Sequence, residues 1–294
     1  QVGGDTELNF YDLTLKTNYK INDKNNLSLQ PRVSARYLLS ENWSLKASYA
    51  NMQQNIHLLS NSSVGFPSDI WVPAINSVPP QKSEQWAGSV STLLFQGAYE
   101  LSLEGYYKTM SNLITYKAGY SNLESTESWE NAVETGGEGK AYGMEFMIKK
   151  NLGILTGWIA YTYSRSLFQT LSPFAEEQIN GNAWTPSNYD KPHEVNLILS
   201  RKMYPRGLVN LTMNYSTGRP VSAVTASYYL NGGLVVPDYS ERNQYRIPDY
   251  FRIDFSYTVE KVFSKRGDSL NFGIYNLLGR RNAYSVFWKK DADS

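Results

Sequence analysis

Apolar side chains recur at every second position over stretches of about 12–15 residues, and this period constrains the fold more tightly than any other feature of the chain. Tyr99, Leu101, Leu103 and Tyr107 alternate with Glu100, Ser102, Glu104 and Lys108. Phe251, Ile253, Phe255, Tyr257 and Val259 alternate in the same way with Arg252, Asp254, Ser256, Thr258 and Glu260. A period of two produces a strand with one apolar and one polar face. About eleven such segments are expected, at 7–21, 26–40, 42–54, 81–95, 97–117, 137–151, 154–168, 190–203, 206–219, 249–262 and 268–284. Strands of globular proteins are mostly about 5–6 residues long, whereas a tilted strand that crosses a membrane needs about 9–11 and leaves the rest to project.

The connections alternate as well. Tight ones at Ser40–Glu41, Gln96–Gly97, Leu152–Gly153, Tyr204–Arg206 and Ser264–Asp268 separate long ones at 55–80, 118–136, 169–189 and 220–248. In an antiparallel meander every second connection lies at the same end. One end is therefore trimmed and the other elaborated, as in an outer-membrane barrel with short periplasmic turns and long external loops. A large soluble β-sandwich shares the period but not this asymmetry. Trp and Tyr concentrate where an apolar band meets water, and Trp43, Tyr49, Trp86, Tyr107, Tyr161, Tyr163, Tyr215 and Tyr257 all fall on the apolar face. The reading is all-β, an antiparallel up-and-down transmembrane β-barrel, present here as an open partial barrel of about eleven strands. A single-chain bacterial barrel has an even number of strands, so 7–21 is expected not to pair with 268–284.

Several stretches carry a resemblance to a known family. Tyr142-Gly143-Met144-Glu145-Phe146-Met147-Ile148-Lys149-Lys150, followed by Leu155-Thr156-Gly157-Trp158-Ile159-Ala160-Tyr161-Thr162-Tyr163-Ser164, resembles the late strands of TonB-dependent outer-membrane receptors. Lys191-Pro192-His193-Glu194-Val195-Asn196-Leu197, Arg246-Ile247-Pro248-Asp249-Tyr250-Phe251-Arg252-Ile253-Asp254 and Gly273-Ile274-Tyr275-Asn276-Leu277-Leu278-Gly279-Arg280-Arg281-Asn282 are similar to further strands, as is Pro31-Arg32-Val33-Ser34-Ala35-Arg36-Tyr37. The order and spacing of these stretches are more specific than any one of them. The resemblance implies that residues 1–294 are the later half of a 22-stranded barrel, without the N-terminal plug and the final strand. It also implies a place in the cell outer membrane and uptake of a scarce ligand (siderophore, haem, vitamin or glycan) with energy from the TonB complex, received through the plug. Its partners would be outer-membrane lipid, that complex, a small-molecule or glycan ligand and, as an additional expectation, a surface lipoprotein. The alternative is a self-contained outer-membrane barrel that acts as adhesin or hydrolase.

Catalytic and metal chemistry finds little support. The chain has 2 histidines, His57 and His193, in different segments, and no cysteine, so thiolate sites and paired histidine ligands are excluded. Neither an enzyme activity nor a cofactor is expected, and a net charge of +1 gives no basic footprint for nucleic acid. Arg32, Arg36, Lys46, Glu100, Glu104, Lys108, Glu145, Arg252, Asp254 and Glu260 share the polar face and would point into the lumen, paired across strands or facing the plug. Binding residues concentrate on loops held by a rigid scaffold. The candidates are Phe66, Trp71, Tyr120, Trp129, Phe174, Trp184, Tyr228, Tyr229 and Tyr239, whose rings could stack on a sugar, haem or siderophore.

Overall fold

The computed structural model describes residues 28–59, 70–117, 128–175, 178–203, 205–230, 234–260, 267–284 and 286. In chain order its strands are β1 (Arg32–Leu38), β2 (Trp43–Gln54), β3 (Ile56–Leu59), β4 (Ile70–Pro73), β5 (Gln81–Leu94), β6 (Tyr99–Tyr116), β7 (Val133–Lys150), β8 (Leu155–Gln169) and β9 (Thr185–Pro186). They continue with β10 (His193–Met203), β11 (Gly207–Ser216), β12 (Pro220–Val221), β13 (Val224–Leu230), β14 (Leu234–Tyr239), β15 (Tyr245–Arg246), β16 (Tyr250–Glu260) and β17 (Ser269–Ile274). One antiparallel sheet runs β1-β2-β5-β6-β7-β8-β10-β11-β16-β17, with β9 attached to β8. Each expected segment from 26–40 onward supplies one strand of that path. The expected strand at 7–21, and with it the test of its pairing to 268–284, lies outside the described residues. Among the described residues β1 pairs with β2 alone and β17 with β16 alone, so the sheet is an open partial barrel wall.

Register shows how the alternation builds two faces. One row of directly opposed residues runs Tyr37, Leu45, Val90, Leu103, Phe146, Tyr161, Val195, Tyr215 and Phe251 across nine strands. The neighbouring row of the opposite face runs Arg36, Lys46, Ser89, Glu104, Glu145, Thr162, Glu194, Ser216 and Tyr250. Directly opposed residues share a face, so Leu101, Leu103, Leu197, Met213, Ile253 and Phe255 lie on one side and Glu100, Glu104, Asn214, Arg252 and Asp254 on the other. Leu103, Phe146 and Ile159 each remain 40% exposed at mid-strand. Among the described residues no second sheet covers this face, which argues against the sandwich.

The buried apolar residues sit elsewhere. Leu59, Val72, Val78, Tyr116, Ala132 and Val133 form a small core at the far end of the β6–β7 hairpin, beyond the mid-strand apolar band. Both strands have 18 residues and so exceed the about 9–11 needed to cross a bilayer. A bulge at Asn112, with φ +58°, interrupts the β6 register between Met110 and Leu113. An extra residue shifts the alternation, and the Asn112 amide donates to the Pro80 carbonyl at 2.9 Å. The β3–β4 hairpin then lies against the projecting part of β6. At the opposite end the turns are tight: Phe95 and Gln96 adopt φ of +52° and +57°, and the Ala98 N–H donates to the Phe95 carbonyl.

β17 departs from expectation. The segment 268–284 predicts one long strand, but the ladder stops at Ile274 and the chain turns at Asn276 (φ +54°) and Gly279 (φ +61°). Asp254 Oδ1 accepts the Asn276 N–H at 2.9 Å, which holds the turn against β16. Beyond it the Asn282 amide takes the place of a backbone group, accepting from Phe251 N and donating to Phe251 O, both at 3.0 Å.

Candidate functional site

Two external loops, 170–192 and 217–249, are laced into one body. Asn180, at φ +49° in a short 3-10 turn, accepts the Arg242 N–H at 2.7 Å and donates to the Arg242 carbonyl at 2.9 Å. Asn243 donates to the Pro186 carbonyl and to Asn188 Oδ1, both at 2.8 Å. The Arg242 guanidinium reaches down to Thr115 Oγ1 (2.6 Å) and the Tyr116 carbonyl (3.0 Å) at the tip of β6. Burial there disfavours its charge and lowers its pKa to about 10.

Asp190 is the anchor of that body. Its side chain has 0% exposure, and its carboxylate pairs with both Arg165, from β8, and Arg246, from β15. The Ser166 N–H also donates to it at 2.7 Å, while Arg246 donates to the carbonyls of Asp190 (2.7 Å) and Gly218 (2.9 Å). A carboxylate without water is stable only when its lone pairs are met in this way. Asp249 plays a related part at the start of β16. It accepts from the Gly218 N–H (3.0 Å) and from the Tyr215 hydroxyl (2.8 Å), and these bonds hold its carboxyl below the usual range.

Beneath this body, on the polar face, a cavity of about 630 Å³ opens at the external ends of β10, β11 and β16. Its floor is Glu194, Asn196, Asn214 and Arg252, and its mouth carries Lys191 and Arg219. The Asn214 amide donates to Asn196 Oδ1 at 2.6 Å and the Asn196 amide to Glu194 Oε1 at 2.8 Å. Arg252 is held by Asp254 (2.8 Å) and by the Tyr250 (3.2 Å) and Tyr275 (2.6 Å) hydroxyls.

The loop aromatics divide. Phe66 and Tyr120 lie outside the described residues. Trp129 opens a 3-10 turn and is packed against the external core, where it supports the loop. The Lys140 ammonium sits 3.8 Å above the Trp184 ring. Trp71 on β4, Phe174, Tyr228 on β13 and Tyr239 on β14 are exposed, and Tyr229 follows Tyr228 in the same strand. Among the described residues, none of these aromatics lines the cavity. The cavity residues come from strand ends, and their signal in the sequence was a run of polar alternate positions beside Lys191 and Arg219.

By register, the charged residues of the polar positions share one face of the sheet. Cross-strand pairing accounts for less of this charge than expected: Glu100 of β6 meets Lys149 of β7 at 3.7 Å, whereas Arg252 meets Asp254 within β16, Arg36 stands opposite Lys46 and Glu104 opposite Glu145. Arg32, Lys108 and Glu260 stand opposite Ala50, Gln85 and Ser269. Like charges directly opposed are unfavourable unless water or another body screens them.

The family described as TonB dependent receptor-like, beta-barrel matches residues 5–277. No curated protein sequence matches the chain. Among solved structures, the ferripyoverdine receptor of the Pseudomonas aeruginosa outer membrane superposes with a TM-score of 0.53 at 15% identity, over 85% of this chain and 29% of that one. The FrpB iron transporter of Neisseria meningitidis gives 0.55 at 12% identity, over 88% and 37%. The outer membrane transporter YddB of Escherichia coli gives 0.56 at 12% identity, over 86% and 37%. The chain thus spans about a third of the length of the receptors it resembles. The alternating wall, the charged polar face and the family match agree, and the chain belongs to the TonB-dependent receptor β-barrel family of the cell outer membrane.

Proposed function

We propose that this chain is the later half of the barrel of an active-transport receptor, which captures a scarce ligand at its external mouth and imports it with energy from the TonB complex. Siderophore, haem, vitamin and glycan are the ligand classes of this reading, and a plug outside residues 1–294 couples capture to import. The observation that carries it is the cavity under the laced loops, where a ligand held by Lys191, Arg219 and the Asn196–Asn214 amides would face the lumen rather than lipid. The opposed like charges of Arg36 with Lys46 and Glu104 with Glu145 support a plug as neighbour, because a second charged body would neutralise them. Exposed Trp71, Phe174, Tyr228 and Tyr239 would make first contact with the ligand, and a surface lipoprotein would dock over them. The test is growth of cells that carry the whole receptor on each ligand class as limiting nutrient, with and without a functional TonB complex. Growth that needs both receptor and complex supports the reading. Unchanged growth in receptor-deleted cells on every class, with loss of adhesion or hydrolysis, replaces it with the self-contained barrel.

A further inference from the structure

The mouth of the cavity holds two cations with no carboxylate partner. Among the described residues neither Lys191 nor Arg219 forms an ion pair; Arg219 donates only to the Tyr284 carbonyl, at 3.4 Å. Arg252, by contrast, is neutralised by Asp254. The rest of the floor is neutral amide and one carboxylate. The amide chain from Asn214 through Asn196 to Glu194 runs in one direction and uses one N–H of each amide, so the second N–H of each asparagine remains as a donor beside the acceptors Glu194 Oε2 and Asn214 Oδ1, a mixture that suits hydroxyl groups. Tyr250 and Tyr284 add flat walls.

A ligand that satisfies this arrangement has an anionic group on one edge, hydroxyls that both donate and accept on the other and a compact non-aromatic body that can lie against a tyrosine face. We propose that the cavity is a subsite for an acidic saccharide, with a uronate carboxylate between Lys191 and Arg219 and sugar hydroxyls on Glu194 and Asn214. A volume of about 630 Å³ lies within the range of about 300–1,000 Å³ found for small-ligand sites and admits a short oligosaccharide. A polyanion charged on every edge would meet Glu194, and a porphyrin would lay apolar surface on amides that then lose water.

This inference rests on the receptor reading and names the ligand of its site. The test uses the whole receptor purified from outer membranes in detergent, with digalacturonate, the neutral disaccharide galactobiose and citrate as calorimetric probes. Digalacturonate is expected to bind best, and Lys191→Met and Arg219→Gln to weaken it by about tenfold each, as expected for a charge-assisted hydrogen bond. Arg219→Lys should recover part of the loss, and heat-dependent gel migration shows that each variant is folded. Equal binding of galactobiose removes the role of the two cations and overturns the proposal. Equal binding of citrate overturns the saccharide and leaves a hydroxycarboxylate. If no acidic saccharide binds while the receptor still imports another ligand in a TonB-dependent way, the subsite is refuted and the receptor reading stands. Loss of all TonB-dependent import from wild-type cells would refute the reading itself.

Discussion

Asn180 and Arg242 exchange two hydrogen bonds across a separation of 62 residues, side-chain amide to backbone N–H and carbonyl. This pair joins two loops that share no strand ladder. Replacement of Asn180 by alanine removes both bonds and strips two backbone groups of their partner, a loss of about 1–3 kcal/mol confined to the loops. Hydrogen exchange should rise at 179–186 and 240–246 while the amides of β7 and β8 stay protected. Equal exchange in both proteins would show that the loops are held by other contacts.

Asp190→Asn tests the anchor. The substitution keeps the size of the side chain but leaves Arg165 and Arg246 without a counter-charge. Loss of one partner of a buried pair costs about 3–5 kcal/mol, and here less, since both arginine side chains are 28% exposed. External protease should cut the 217–249 loop faster in the variant, with the amount of barrel in the membrane unchanged.

The faces of the wall differ in what they tolerate. Leu103→Arg puts a cation in the apolar row near mid-strand and should destabilise the folded barrel by about 2–4 kcal/mol, the cost measured for a lipid-facing Arg or Lys near the bilayer midplane. Glu104→Gln, one residue on, removes one of two opposed carboxylates and should be neutral or stabilising. Urea titration of the two variants in liposomes checks the contrast. Equal effects would contradict the assignment of faces.

His57 makes the external core sensitive to acid. It is 0% exposed on β3, and burial, only partly offset by the Pro79 backbone beside the ring, lowers its pKa below the ordinary 6.5. The unfolded loop therefore binds a proton more readily than the folded one. Loop stability is complete above pH 6.5 and declines as pH falls from there toward the lower folded value. Exchange at 56–59 and 70–73 should accelerate between pH 7.5 and pH 5, and His57→Leu should abolish the difference.

The wall was legible because its signal is local and repeated: one look at Leu101, Leu103 and their charged neighbours fixes a strand, its faces and its approximate ends. The loops obey other rules. Asp190 meets Arg246 across 56 residues, and nothing in either neighbourhood announces the other. The β3–β4 and β13–β14 hairpins are short and interrupted, so no period develops. The cavity was hidden in the sequence, because Asn196 and Asn214 look like ordinary members of an alternating strand until register sets them side by side. The break in β17 was hidden for a related reason: Asn282 pairs through its side chain, which no alternation encodes.

That last contact changes what mutation can do to the wall. Along the ladders, pairing is carried by atoms that nearly all residues possess, so a substitution alters packing and leaves the bonds in place. At Phe251 the partner is an amide that belongs to one side chain. The rung it forms is inherited through a single codon and can be erased by a single base change.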